Sequence, residues 1–226
     1  MATDLSYLNP QQRKAVLESY EHPTVLIAGA GSGKTAVLQA RTSYLVDDLN
    51  VDPSEIMVVT FTNKAARELK ERLQKVCPDI DQMWLGTFHS ICVKILKQFG
   101  SHLGIRKFTI LDETDAKKII KRIRDEKELE IDSAVIRETL SRISSYKNNF
   151  VSPKDLMNTH IKDEEELLFI DIYDEYQRQT WNNRTFDFDD LIYYTVLLLK
   201  RSEAVREWFH ENVRYYMVGF VSRFTS

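Results

Sequence analysis

Ala28-Gly29-Ala30-Gly31-Ser32-Gly33-Lys34-Thr35 lies between the apolar run Thr24-Val25-Leu26-Ile27 and the stretch Ala36-Val37-Leu38-Gln39-Ala40-Arg41. The run predicts a short buried β-strand and the stretch predicts an α-helix, so the octapeptide is a turn between strand and helix. Three of the chain's seven glycines fall within five residues here. Glycine lets the backbone curl until successive N–H groups point at phosphate oxygens, and the helix start adds its own N–H groups. In that setting Lys34 reaches the β- and γ-phosphates of a nucleotide, and the Thr35 hydroxyl ligates Mg²⁺. The general pattern G-x-x-x-x-G-K-[ST] opens on glycine, where this chain has Ala28. The Gly-Lys-Thr ending and the strand ahead of it decide the matter for a phosphate-binding P-loop.

At 226 residues, 43% hydrophobic and 29% charged, the chain fits one large domain or one domain with an inserted subdomain. No apolar run approaches the length of a membrane span, and the N-terminus carries no signal pattern. Cys77 and Cys92 show neither metal-ligand spacing nor a disulfide framework, so a cytoplasmic protein is expected. The net charge of −3 does not advertise a nucleic-acid binder, and any such contact must come from a local face.

Upstream of the loop, Asn9-Pro10 starts a helix with Asn9 as N-cap and Pro10 at the first helical position. Downstream, Asp52-Pro53-Ser54 breaks the chain before a second predicted strand at 55–60. Phe61-Thr62-Asn63-Lys64 and a helix from 65 to about 76 follow. A third strand at 83–86 leads into Thr87-Phe88-His89-Ser90 and a helix to about Phe99. Repeated strand–loop–helix units predict a parallel sheet flanked by helices, with ligands beyond the carboxyl ends of the strands. An aromatic ring, small polar groups and a lysine in the loop after the second strand suit a single nucleic-acid strand. Thr87, His89 and Ser90 suit a phosphate as well as simple capping.

From Asp112 to about Asn183 the pattern is all helical, which predicts a helical insertion with starts at Asp112 or Thr114, at Asp132-Ser133, after Val151-Ser152-Pro153 and at Asp163. Its cluster Lys117, Lys118, Lys121, Arg122, Arg124 and Lys127 is interleaved with acids and reads first as a solvated helix face, with a nucleic-acid surface as the alternative. Helices from Thr185 to about Lys200 and from Glu203 to about Asn212 precede a last buried strand at 215–218.

Taken together these pieces resemble the N-terminal ATPase domain of UvrD/Rep/PcrA-type superfamily 1 DNA helicases. The resemblance rests on five ordered motifs: 8–12, 28–35, Thr60-Phe61-Thr62-Asn63-Lys64-Ala65-Ala66, Gly86-Thr87-Phe88-His89-Ser90 and Phe186-Asp187-Phe188-Asp189-Asp190-Leu191. Ala28 is usual in this family. The resemblance implies a RecA-like P-loop NTPase fold, with 1–111 and 184–226 as an incomplete first motor domain and 112–183 as the inserted subdomain. It further implies a 3′–5′ helicase or translocase serving DNA repair or replication, monomeric, with ATP and Mg²⁺ as cofactors. Its partners would be single-stranded DNA and a second motor domain. Gln12 would read the adenine edge, residues 28–35 and Arg41 would complete the nucleotide site, and Thr35 would hold the metal. Phe61, Thr62, Asn63, Lys64, Thr87, Phe88 and His89 would contact the single strand. Ala36 stands where many relatives have an arginine that packs on adenine.

The larger departure comes at the end. The family's last strand should continue Asp-Glu-Phe/Tyr-Gln-Asp, and this chain continues Gly219-Phe220-Val221-Ser222-Arg223. The absent Asp would position Mg²⁺ and the absent Glu would activate the attacking water. A shifted reading of codons for Val221-Ser222-Arg223 yields Phe-Gln-Asp, which suggests a helicase gene frameshifted or truncated at its Walker B motif. The chain alone is therefore expected to lack motor activity, and a non-catalytic nucleotide- or DNA-binding module is the alternative.

Overall fold

The computed structural model describes residues 3–19, 23–27, 29, 31–75, 77–158 and 163–219. In chain order these form α1 (Pro10–Leu17), α2 (Lys34–Ser43), β1 (Ile56–Thr60), α3 (Asn63–Leu73), β2 (Trp84–Thr87) and α4 (Phe88–Phe99). Next come β3 (Thr109–Ile110), α5 (Glu113–Glu126), α6 (Ser133–Asn148), α7 (Pro153–Met157), α8 (Glu164–Asn183), β4 (Thr185–Phe186) and α9 (Phe188–Arg201). The last are α10 (Glu203–Asn212) and β5 (Tyr215–Gly219). Two compact units result: residues up to Ile91 with those from Glu203 on, and Cys92–Ser202. The second unit takes in α9 and most of α4 as well as the 112–183 insertion.

The first unit is a parallel α/β layer. Its sheet has the order β2-β1-β5, and both neighbours run parallel to β1. Every residue of β1 is buried, as a central strand covered on both faces requires. Ile56 and Val58 pack with Leu45, Leu69, Leu73 and Ile80 in one core cluster. Residues 24–27, predicted as a buried strand ahead of the P-loop, form none, and Val25, Leu26 and Ile27 are 82%, 53% and 96% exposed. An apolar run becomes a strand only where a neighbour takes up its N–H and C=O groups, and none of the three strands of this sheet pairs with it. β5, predicted as a buried strand, pairs with β1 along one edge and is only half buried, with Tyr216 and Val218 exposed.

The second unit is helical, and side-chain caps set where its helices begin. Asp112, Asp132 and Asp163 accept backbone N–H bonds at the starts of α5, α6 and α8, and Ser152 with Asp155 makes a capping box at α7. Ile120, Ile123, Ile143, Phe169, Tyr173 and Tyr176 share its core. The predicted helix start at Thr185 gives way to a strand, because Thr185 and Phe186 pair in parallel with Thr109 and Ile110. Phe186 is fully buried, its ring 4.8 Å from that of Tyr194 and 5.3 Å from that of Phe108. α9 begins one residue later, with Asp187 and Asp190 forming its capping box. Along α5, Lys117 pairs with Glu113, Lys118 with Asp115, Arg122 with Glu126 and Lys127 with Asp171, while Arg124 donates to the Glu130 carbonyl. Cations so engaged support the solvated-face reading of this cluster.

Candidate nucleotide and nucleic-acid site

The P-loop is shaped by backbone that only glycine adopts easily. Gly31 and Gly33 have φ of +75° and +82°, in the left-handed region. A Cβ on Gly33 would lie 2.5 Å from Gln12 Nε2, so any larger residue there must displace the Gln12 amide. Gln12 is held in place from both ends: its Nε2 donates to the Ser32 carbonyl (2.9 Å), and its Oε1 accepts from the Asn9 N–H (3.0 Å). Asn9 Oδ1 in turn accepts from the Gln12 N–H, closing the capping box of α1. The predicted start of α1 at Asn9-Pro10 is thus what brings Gln12 to the loop.

α2 starts at Lys34, and its N-cap, Gly33, has no side chain to occupy the helix's first N–H groups. Those donors, with the helix dipole behind them, are suited to an anion. Lys34 Nζ and Ser32 Oγ both donate to the Gly29 carbonyl at 2.7 Å, which folds the lysine across the loop. Arg41 lies further along α2, where its Nη1 donates to the carbonyls of Val16 (2.6 Å) and Glu18 (2.5 Å) and ties the end of α1 to α2. Burial holds the Arg41 guanidinium below its ordinary pKa, with Tyr44 and Glu18 pulling it up. Ala28 and Ala30 lie outside the described residues.

A cavity of about 370 Å³ opens on this loop, of the size that small-molecule sites have. Gly31, Ser32, Gly33, Lys34 and Thr35 form one wall; Thr60 at the end of β1, Phe61 and Thr62 after it, and Gly219 at the end of β5 form another. The sheet register explains the meeting. Thr60 is level with Thr87 on one side and with Gly219 on the other, so all three strands end in a row. Neighbouring strands lie about 4.8 Å apart, so the row from Thr87 to Gly219 is about 10 Å wide.

The two candidate nucleic-acid loops leave from that row. Phe61 is 67% exposed and the Lys64 side chain 78%, the latter 3.9 Å from Glu68. Thr62 caps α3 through the Ala65 N–H (3.1 Å), and Asn63 is that helix's first residue. Across the row, Thr87 Oγ1 accepts from the Ser90 N–H (3.3 Å) at the start of α4, leaving Phe88 exposed and His89 half-buried. A Cβ on Gly86, in β2, would meet Ser90 Oγ at 2.1 Å, so the strand end and the α4 start approach closely here. Arg72 is a wall residue that motif reading missed. The signal was present, since Thr62, Ala65, Leu69 and Arg72 recur at helical spacing and all line the cavity.

The sequence matches the UvrD/REP helicase N-terminal domain over residues 8–219. The chain belongs to that family. Its relatives include the ATP-dependent DNA helicase PcrA of Staphylococcus aureus strain Mu50, 40% identical over 213 residues, and that of Bacillus subtilis strain 168, 41% identical over 213 residues. PcrA of Staphylococcus epidermidis is 38% identical over 210 residues. The first two alignments cover 93% of this chain and 29% of each helicase, so the chain spans less than a third of the length of these relatives. Family membership accounts for the α/β layer and for the octapeptide at its edge. It also sharpens the departure at β5: Gly219 reaches the cavity wall without a carboxylate, its Cβ position 3.2 Å from Leu38 Cδ2. Among the described residues no group of three or more His, Cys, Asp or Glu is placed to hold a metal ion, and Phe220 and the residues after it lie outside the described set.

Proposed function

We propose that this chain is the ATP- and single-stranded-DNA-binding portion of a DNA helicase, and that alone it binds both ligands without turning ATP over. The supporting observation is the cavity itself, where the P-loop and the loop that carries Phe61 share one wall-to-wall space at the carboxyl edge of the sheet. The residues present suit a nucleotide. The α2 start has no side-chain cap over its N–H groups, Lys34 swings from the Gly29 carbonyl to phosphate oxygens, and Gln12, bonded to the Ser32 carbonyl of the loop, turns its amide to the adenine edge. Thr35, in the cavity wall, offers its hydroxyl to Mg²⁺, which when bound neutralises phosphate charge. Arg41 acts from behind, by holding α1 and therefore Gln12 against α2.

A single strand crossing the row of strand ends stacks a base on Phe61, places a phosphate near Lys64 and meets the α4 start through Thr87, Phe88 and His89. Thr62 and Asn63 shape the first of these contacts. In a whole motor the chain would serve 3′–5′ translocation, act as a monomer and work in the cytoplasm. No helix among the described residues is long and apolar enough to cross a membrane. One observation favours a second reading, a catalytically inactive regulator derived from such a helicase: Gly219 supplies no acid at the cavity. Fluorescence anisotropy with a labelled oligonucleotide at low salt tests the proposal. Binding that weakens in both Phe61→Ala and Lys64→Ala supports it; unchanged binding in both contradicts it.

A further inference from the structure

The motif Phe186–Leu191 carries three carboxylates that the nucleotide and DNA reading does not use. Two of them, Asp187 and Asp190, meet a single buried cation. Lys147, near the end of α6, has a side chain with no exposure, and its Nζ lies 2.7 Å from Asp187 Oδ2 and 2.7 Å from Asp190 Oδ1. The Tyr176 hydroxyl of α8 donates to the same Asp187 Oδ2 at 2.8 Å, and the Tyr176 ring faces the ammonium at 4.9 Å. Within the capping box, Asp187 Oδ1 accepts the Asp190 N–H (2.8 Å) and Asp190 Oδ2 accepts the Asp187 N–H (3.2 Å). Asp190 Oδ1 has the ammonium beside it but no well-angled hydrogen bond of its own.

The charges do not balance. One ammonium faces two carboxylates, and with both ionised the buried cluster carries a net negative charge. The other ionisable groups around it are the phenols Tyr173 and Tyr176 of α8 and Tyr193 and Tyr194 of α9, together with Asp155 of α7 and Asp189 and Arg201 of α9. The four phenols are pushed up chiefly by burial and stay neutral. Asp155 and Asp189 add negative charge, and Arg201, the one further cation in this group, acts on Tyr193 at the surface end of α9. A buried net charge without a partner is strongly disfavoured, and the cheapest relief is one proton.

We propose that Lys147, Asp187 and Asp190 form a proton-operated latch, in which the two carboxyls hold one proton between them and its loss loosens the joint between α6 and the start of α9. Burial opposes the charge on all three groups, and their partners decide the outcome. The pull of Asp190 and Asp187 holds Lys147 charged, above the ordinary lysine value. Lys147, the Asp190 N–H and the Tyr176 hydroxyl keep Asp187 ionised, below the ordinary carboxylate range. Asp190 is pushed by burial up to about 7, Lys147 pulling it down and Asp187 pushing it further up. The sign follows. Asp190 binds its proton more tightly folded than unfolded, so the stability it lends is fully present below the unfolded value of about 3.9, declines as pH rises from there, and is gone once pH has passed about 7. Asp187 behaves oppositely, its contribution present above the unfolded value of about 3.9 and lost below it. None of these residues lines the P-loop cavity, so the latch stands or falls independently of nucleotide binding.

Carboxyl-carbon NMR of the whole chain between pH 5 and 9 reads the cluster directly. One buried aspartate should titrate near neutrality while another stays ionised throughout, and the titrating signal should vanish in Asp190→Asn, which imitates the protonated acid. In parallel, the wild-type unfolding constant should rise by up to about tenfold per pH unit between about pH 4 and 7 and level off above that, and Asp190→Asn should flatten the slope. The proposal is overturned if no buried carboxyl titrates between pH 5 and 9, or if Asp190→Asn keeps the wild-type slope.

Discussion

Replacing Gly33 by Ala probes the P-loop at the point where two separate constraints meet. The first is conformational: with φ at +82°, an L-residue is in the left-handed region, at a penalty of about 1–2 kcal/mol. The second is spatial, because the new methyl would lie 2.5 Å from Gln12 Nε2 and must displace that side chain. Displacement breaks the bonds from Gln12 to the Ser32 carbonyl and from the Asn9 N–H, each worth about 0.5–1.5 kcal/mol. Both bonds are open to water, which takes the low end of that range, so Gly33→Ala should destabilise the chain by about 2–3 kcal/mol. The structure also provides the control. A Cβ at Gly29 meets no atom within 4 Å among the described residues, so Gly29→Ala should stay within about 0.5 kcal/mol of wild type. In Gln12→Ala/Gly33→Ala the clash is gone, and the double variant should be about 1 kcal/mol more stable than the two single effects add up to. Urea unfolding of the four variants and wild type reads all of this. A Gly33→Ala effect below about 0.5 kcal/mol, or equal losses at Gly29 and Gly33, would refute the reasoning.

Phe61→Ala should weaken single-strand binding by about tenfold or more, since stacking on one aromatic is worth about 1–3 kcal/mol. Lys64→Ala should lower affinity and reduce the salt dependence by about one phosphate contact, read from anisotropy titrations at several salt concentrations. ATP turnover, measured by phosphate release with and without single-stranded DNA, should be negligible. General-base catalysis alone is worth about 10²–10⁴-fold, and Gly219 brings no acid to the cavity. Turnover at the rate of intact helicases would require a base elsewhere.

The parts of the fold set by short-range chemistry were legible in the sequence. Asn9 and Pro10 start α1, Asp112, Asp132 and Asp163 start three helices, and Glu203 to Asn212 bounds α10, because each signal lies within a turn of the end it sets. What depended on a partner distant in sequence was not. The run at 24–27 has the composition of a strand but joins no sheet among the described residues, and β5 has a neighbour on one edge only. The β3–β4 pair joins segments some 76 positions apart, Thr109 with Thr185, and nothing local in two residues announces it. At the site, residue types fixed the P-loop and its lysine, whereas the service of Arg41 to α1 emerged only from the carbonyls it meets. The burial of Lys147 likewise depends on α6 meeting Asp187 and Asp190 at the start of α9, some 40 positions away.

The central claim is that residues 29–35 bind nucleotide phosphate, and calorimetry with Mg²⁺ and ATP on wild type and Lys34→Ala tests it most directly. The Lys34 ammonium donates to the Gly29 carbonyl of its own loop, and circular dichroism should show both proteins folded alike. Wild type should bind, and Lys34→Ala should bind about tenfold to a hundredfold more weakly, because charge-assisted hydrogen bonds worth about 1.5–3 kcal/mol are removed. Equal heats and equal affinities for the two proteins would contradict the claim.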